Sequence, residues 1–160
     1  MKKNEHVFGV CSGYTSDGHG VVKIDGFPLF VKGMMDKESG ELVVTLVKKS
    51  YGFARLLKLD KVNEERVNPA CPIAKQCGGC QLLDMPYSQQ LTLKKKQLEE
   101  TLKGICKVQT VIGMEQPFHY RNKVHAVFDR DRRGNIISGI YQENTHIVVP
   151  VEKCLIEDEK

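Results

Sequence analysis

The chain has 160 residues, of which 41% are hydrophobic and 28% charged, and a formal net charge of +4. This is the composition of a folded protein, sized for one domain or for a small domain plus part of another. No apolar run approaches the roughly 20 residues that span a bilayer, and "MKKNEHVFGV" lacks the apolar stretch and small-residue cleavage site of a secretory signal. The expected compartment is therefore the cytoplasm, with no membrane partner. Disulfides rarely persist there, so six cysteines point first to metal ligation or reactive thiols.

Residues 5–61 read as short strands. "HVFGVCSGY", "GVVKI", "FPLFVKG", "ELVVTLVKK" and "FARLLKLDKV" are rich in Val, Leu and Phe and are broken by Gly and Asp. Asp25-Gly26, between "VVKI" and "FPLF", is a two-residue hairpin signal because both central positions need positive φ. Five strands with no intervening helix predict a small barrel over residues 1–62, a closure that also removes exposed edges. The polar "NEERVNPAC" with Pro69 reads as a linker, and residues 63–86 as linker plus cysteine-rich loop.

From residue 87 the period changes. Tyr87, Leu91, Leu98 and Leu102 fall on one helical face opposite lysines and glutamates, and Gly104 is placed to end the helix. Strand-like runs then return in "CKVQTVIG", "RNKVHAVFD", "NIISGIY" and "HIVVPV". The middle two predict a hairpin across the basic tip "DRDRRGN". Arg121 to Arg133 holds five Lys/Arg against two Asp, a local charge of +3 that suits a polyanion as well as it suits plain solvation. One helix and a few strands make a modest core, so residues 87–160 read as an incomplete domain.

The densest chemistry lies in "CPIAKQCGGC". Five residues separate Cys71 from Cys77, and two separate Cys77 from Cys80. The C-x-x-C half lets two thiolates converge on one centre, with Gly78 and Gly79 admitting a tight turn and N–H groups close to sulfur. A fourth ligand is wanted. Cys11 lies inside an apolar strand and Cys106 opens another, so both read as small buried hydrophobes. Cys154, at a strand end after "VVPVEK", is better placed to turn toward a loop. Spacing leaves structural zinc and an iron–sulfur cluster equally open. A thioredoxin-like redox pair fits less well, because its βαβ context is missing.

"CPIAKQCGGCQLLDMPYSQQLTLKKKQL" resembles the iron–sulfur segment of the bacterial ribosomal branch of the RNA uracil-C5 methyltransferases, including the positions of Tyr87, Gln90 and Lys94. "HIVVPVEKCLI" is similar to the segment that bears that family's fourth cluster cysteine. "DGHGVVKIDGFPLFVKG" resembles the TRAM domain, an OB-like RNA-binding barrel, and "PFHYRNKVHAVF" the Pro-aromatic-x-Tyr-Arg-x-Lys strand that opens the family's central domain.

The resemblance implies a mainly β fold with some α: a five-stranded OB-like barrel followed by a partial α/β central domain with a cluster-binding loop, one helix and antiparallel strands. It implies a [4Fe–4S] cluster on Cys71, Cys77, Cys80 and Cys154. It also implies RNA contacts from Arg121, Lys123, Arg130, Arg132 and Arg133, and from Lys23, Lys32, Arg55, Phe27 and Phe30 on the barrel. For Phe27 and Phe30, core packing is the competing reading.

The partner implied is RNA, 23S rRNA in particular, and the chain is expected to be monomeric. The family's Gly-rich S-adenosylmethionine loop, its nucleophilic cysteine and its general base have no counterpart here. The methyltransferase domain is therefore expected in cis beyond this chain, which by itself is expected to be catalytically inactive. Two other readings compete: a standalone RNA-binding module with structural zinc, and a radical RNA-modifying enzyme. The second is disfavoured by the x5 spacing and the available fourth cysteine.

Overall fold

The computed structural model describes residues 1–143 and 145–159. Asn144 and Lys160, the latter closing the expected 87–160 region, lie outside the described residues. The chain forms two compact units, Met1–Asn68 with Asp84–Gln90, and Pro69–Leu83 with the chain from Leu91 onward.

The first unit is a closed barrel of β1 (His6–Tyr14), β2 (Gly20–Ile24), β3 (Phe27–Val31), β4 (Ser39–Val47) and β5 (Gly52–Lys61), in the order β1-β2-β3-β5-β4. All pairings are antiparallel except β3 with β5. Strand alternation turns Cys11, Val22, Leu29, Val31, Leu42, Val44 and Ala54 inward, where they form the core with Met34. Asp25 (φ 48°) and Gly26 (φ 82°) make the tight turn between the paired Ile24 and Phe27. The five predicted strands are all present, within a few residues of their expected limits.

The expected linker is fastened to the barrel. Asn63 N–H donates to Glu38 Oε1 at 3.1 Å and Asn63 Nδ2 to Asp36 O at 2.8 Å, while Arg66 pairs with Glu38 and Asp84. Val67 N–H donates to Asp84 O at 3.0 Å, which brings residues from both sides of the cysteine loop onto this unit.

The helix α1 spans Tyr87–Thr101, and Gly104 (φ 81°) follows it as predicted. None of its residues is fully buried: Tyr87 and Leu91 are half-buried, and Leu98 is 46% exposed. In the second unit β6 (Val127–Arg130), β7 (Ile136–Tyr141) and β8 (Val148–Pro150) form an antiparallel sheet in chain order.

Three expectations are corrected here. "CKVQTVIG" forms no strand: it finds no ladder partner among the described residues, and Ile112 is 93% exposed. Cys106 is accordingly exposed, whereas Cys11 is buried as expected. "RNKVHAVFD" enters the sheet only at Val127, because Arg121 pairs in parallel with Glu157 instead.

Candidate functional site

Cys71, Cys77, Cys80 and Cys154 all line one partly open cavity in the second unit, walled by apolar residues including Leu83, Val124, Ile140 and Val151. Two overlapping turns set the first part of this lining: Ala74 N–H donates to Cys71 O at 3.2 Å, and Cys77 N–H to Ile73 O at 2.8 Å. Cys77 bridges to Gln142, and Gly78 N–H donates to Tyr141 O at 3.2 Å, seating the loop against the end of β7.

A Cβ on Gly78 would stand 2.7 Å from Tyr141 O and 3.0 Å from Glu143 N, so this approach requires glycine. Gly79 N–H donates to Cys77 Sγ at 3.3 Å. Neither glycine occupies the left-handed region, so the pair serves close approach and not the unusual φ expected of it.

Cys154 arrives from β8. The residues after it pair in parallel with 119–121: His119 N–H donates to Leu155 O at 3.0 Å, Arg121 N–H to Ile156 O at 2.8 Å, and Asp158 N–H to Arg121 O at 3.0 Å. His119 Nδ1 lies 2.9 Å from Glu157 O, a further tie between the two segments.

All six cysteines are free thiols. Burial pushes the Cys80 thiol above its ordinary value, and the neighbouring Cys77, Cys154 and Cys71 add to this in that order, while Arg121 acts in the opposite direction. Four half-buried soft sulfur donors line this one space, and the chemistry of that donor set is of the kind that thiolate-ligated centres use. Among the described residues, no three or more His, Cys, Asp or Glu side chains are drawn together as holding a metal ion requires. His125 and Lys153, which the sequence did not nominate, also line the cavity.

The basic tip is a well-tied turn. Strand pairing runs to Arg130 and Ile136, leaving a loop of residues 131–135. Asp131 Oδ1 accepts from the N–H groups of Arg133 (2.8 Å) and Asn135 (2.9 Å), and Oδ2 accepts from Asn135 Nδ2 at 2.9 Å. The Asn135 side chain first, then its N–H, hold the Asp131 carboxyl below its ordinary value. Arg130 Nη1 is bound to Gly134 O at 2.8 Å, whereas Arg132 and Arg133 are exposed on the turn. Lys123 is also exposed, and Arg121 lies apart from the tip, at the cysteine cavity.

On the barrel, Phe27 is partly buried and packs against the core, in line with the competing reading for it. Phe30 lies between the inward-facing Leu29 and Val31 and therefore points outward. It stacks on Tyr51 with ring centroids 5.2 Å apart and meets Phe53 edge-on at 5.7 Å. His19 meets Phe53 edge-on at 6.3 Å. Tyr51, Phe53 and His19 are absent from the sequence-based set. The available signal was the alternation of β5, which puts Phe53 on the same outward face as Arg55. Lys23, Lys32 and Arg55 are exposed.

The fold and the site together define a small closed five-stranded barrel followed by a cysteine-lined unit. No family model matches the chain. A protein of Halalkalibacterium halodurans named an uncharacterized RNA methyltransferase is 39% identical over 165 residues, covering 100% of this chain and 36% of that protein. A Listeria innocua protein of the same name is 40% identical over 164 residues, again 100% of this chain and 36% of its own length. A Staphylococcus aureus counterpart is 34% identical, covering 99% and 36%.

The solved tRNA (uracil-54, C5)-methyltransferase of Pyrococcus abyssi, in complex with S-adenosyl-L-homocysteine, matches with a TM-score of 0.63 at 24% identity, over 95% of this chain and 33% of that one. That likeness bears on the fold. The chain is thus similar over its whole length to proteins named RNA methyltransferases and spans about 36% of the length of these curated relatives. Among the described residues no helix is long and apolar enough to cross a membrane.

Proposed function

We propose that this chain is the RNA-recognition and cluster-bearing N-terminal part of a cytoplasmic, monomeric, S-adenosylmethionine-dependent RNA (uracil-C5) methyltransferase whose substrate is 23S rRNA. The observation that carries the reading is the convergence of Cys71, Cys77, Cys80 and Cys154, from two distant stretches of chain, on one cavity. The relatives' name and the barrel support the RNA half.

The four cysteines would hold a [4Fe–4S] cluster whose closed ligation leaves no open iron position, so its contribution is structural. Cys80 and Cys154 then close the chain over residues 81–153, and binding energy becomes folding energy. Arg132, Arg133, Arg130 and Lys123 would meet phosphates beside the hairpin. Lys23, Lys32 and Arg55 would do the same beside the outward aromatics, where unstacked bases can lie on Phe30, Tyr51 or Phe53. Methyl transfer belongs to a further domain in cis. Once the uridine is unstacked, its thiolate would add at uracil C6, C5 of the resulting enolate would take the methyl group as S-adenosylhomocysteine leaves, and a base would then remove the C5 proton as the thiolate is expelled.

Anaerobic purification tests the cluster: brown protein with matching iron and sulfide is expected, and colourless protein with one zinc would favour the zinc-bearing binding module. Titration with an rRNA hairpin tests the rest. Binding that weakens steeply with salt is expected, and no binding would sink the RNA role.

A further inference from the structure

Arg121 lines the cavity that the four cysteines share. Main-chain contacts fix it there: its N–H donates to Ile156 O at 2.8 Å and its C=O accepts from Asp158 N–H at 3.0 Å, two and four residues past Cys154. The backbone that carries Cys154 and the backbone that carries Arg121 are therefore one ladder. The tip arginines are not part of the cavity lining.

Four thiolates bring more negative charge to one point than a cubane core neutralises, in a pocket with apolar walls. Such a site gains from a fixed cation. A guanidinium suits the role, since it stays charged at every working pH and presents several donors in a plane.

We propose that Arg121 is the counter-charge of the four-cysteine centre, a positioning residue that holds the thiolates together, and that it serves this centre in place of RNA. This rests on the reading of the cysteines as a cluster site. Lys153, in the same lining, pairs with Glu159 at 4.0 Å, whereas Arg121, also exposed, is tied by its main chain to the residues just past Cys154, which makes Lys153 the weaker candidate.

Arg121→Gln keeps both main-chain hydrogen bonds, so the ladder should survive the substitution. Wild type and variants are purified anaerobically, iron and sulfide are measured, and loss of visible absorbance is followed after adding an iron chelator. Arg121→Gln is expected to bleach about fivefold faster, the size of one partly exposed charge pair. Arg121→Lys should stay within about twofold of wild type, and Lys103→Gln, which removes an exposed charge outside the cavity lining, should match it.

Equal bleaching of wild type and Arg121→Gln overturns the proposal while leaving the cluster in place. Arg121→Lys bleaching as fast as Arg121→Gln also overturns it, because the charge would then not be what Arg121 supplies. Weakened hairpin-RNA binding by Arg121→Gln at an unchanged bleaching rate assigns the residue to RNA and has the same consequence. Wild-type protein that takes up no iron and sulfide on anaerobic reconstitution overturns the cluster reading itself, and this proposal with it.

Discussion

The guanidinium of Arg66 forks onto the buried carboxylate of Glu38, Nε to Oε1 and Nη2 to Oε2, each at 2.7 Å. Glu38 also accepts the N–H groups of Met35 at 2.7 Å and Asn63 at 3.1 Å, so a fully buried carboxylate has four donors. Arg66 spends its remaining capacity on Gly33 O at 2.7 Å and Asp84 at 3.2 Å. A charge inside the barrel unit is tolerable only when paired and hydrogen-bonded, and here the partner comes from the segment that reads as linker.

Arg66→Ala should therefore destabilise the first unit by about 3 kcal/mol, since it leaves a buried carboxylate without its cation. Chemical denaturation checks this, and a loss below about 1 kcal/mol would mean that the pair is surface-like.

The same pair sets an acid limit. Burial by itself would raise the Glu38 carboxyl, but the Arg66 hydrogen bonds, followed by those from Met35 and Asn63, hold it below its ordinary value of 4.5. Below that value the unfolded chain takes up a proton that the folded one resists. The stabilisation is therefore complete above about pH 4.5 and is lost as pH falls through the lowered native value. Thermal unfolding against pH should show this acid limb, and Glu38→Gln should flatten it. A limb equally steep in the variant would refute the assignment.

Gly78→Ala should detach the cysteine loop from the end of β7, because both clashing atoms are backbone and cannot swing aside. A cost of about 2 kcal/mol in the second unit is expected, with reduced iron uptake. Gly79→Ala, whose nearest neighbour is Cys77 Sγ at 3.3 Å, should be milder. Iron content and stability measured side by side check the order.

Cys77→Ser, or exposure to oxygen, should loosen the second unit, Pro69–Leu83 and the chain from Leu91 onward, while the barrel keeps its protection, because the barrel core contains none of the four cavity cysteines. Hydrogen exchange and limited proteolysis report this directly. An unchanged second unit would show that the centre carries no folding energy.

Two kinds of RNA contact should separate by salt. Replacing Arg132 and Arg133 by Ala should lower the slope of log affinity against log salt by about 1.4 for single-stranded RNA. Phe30→Ala or Phe53→Ala should weaken binding by about 1 kcal/mol with the slope unchanged, as expected for stacking. Titrations at several salt concentrations distinguish the two.

The barrel strands, the Asp25-Gly26 turn, the Gly104 helix end and the 130–136 hairpin were legible in the sequence because each rests on local chemistry: period-two burial, positive φ, or a turn between alternating runs. Cys154, nominated through position and resemblance, lines the same cavity as Cys71, Cys77 and Cys80. Residues 106–113 were misread because an apolar β-like run becomes a strand only where a ladder partner exists, and none of the described residues supplies one. Tertiary structure alone decided that Arg66 completes the barrel unit, that Tyr51 and Phe53 join Phe30 on its outer face, and that Arg121 lies with the cysteines. Each of these depends on which distant backbone lies alongside, and a charge or a ring carries no record in sequence of the partner it will meet.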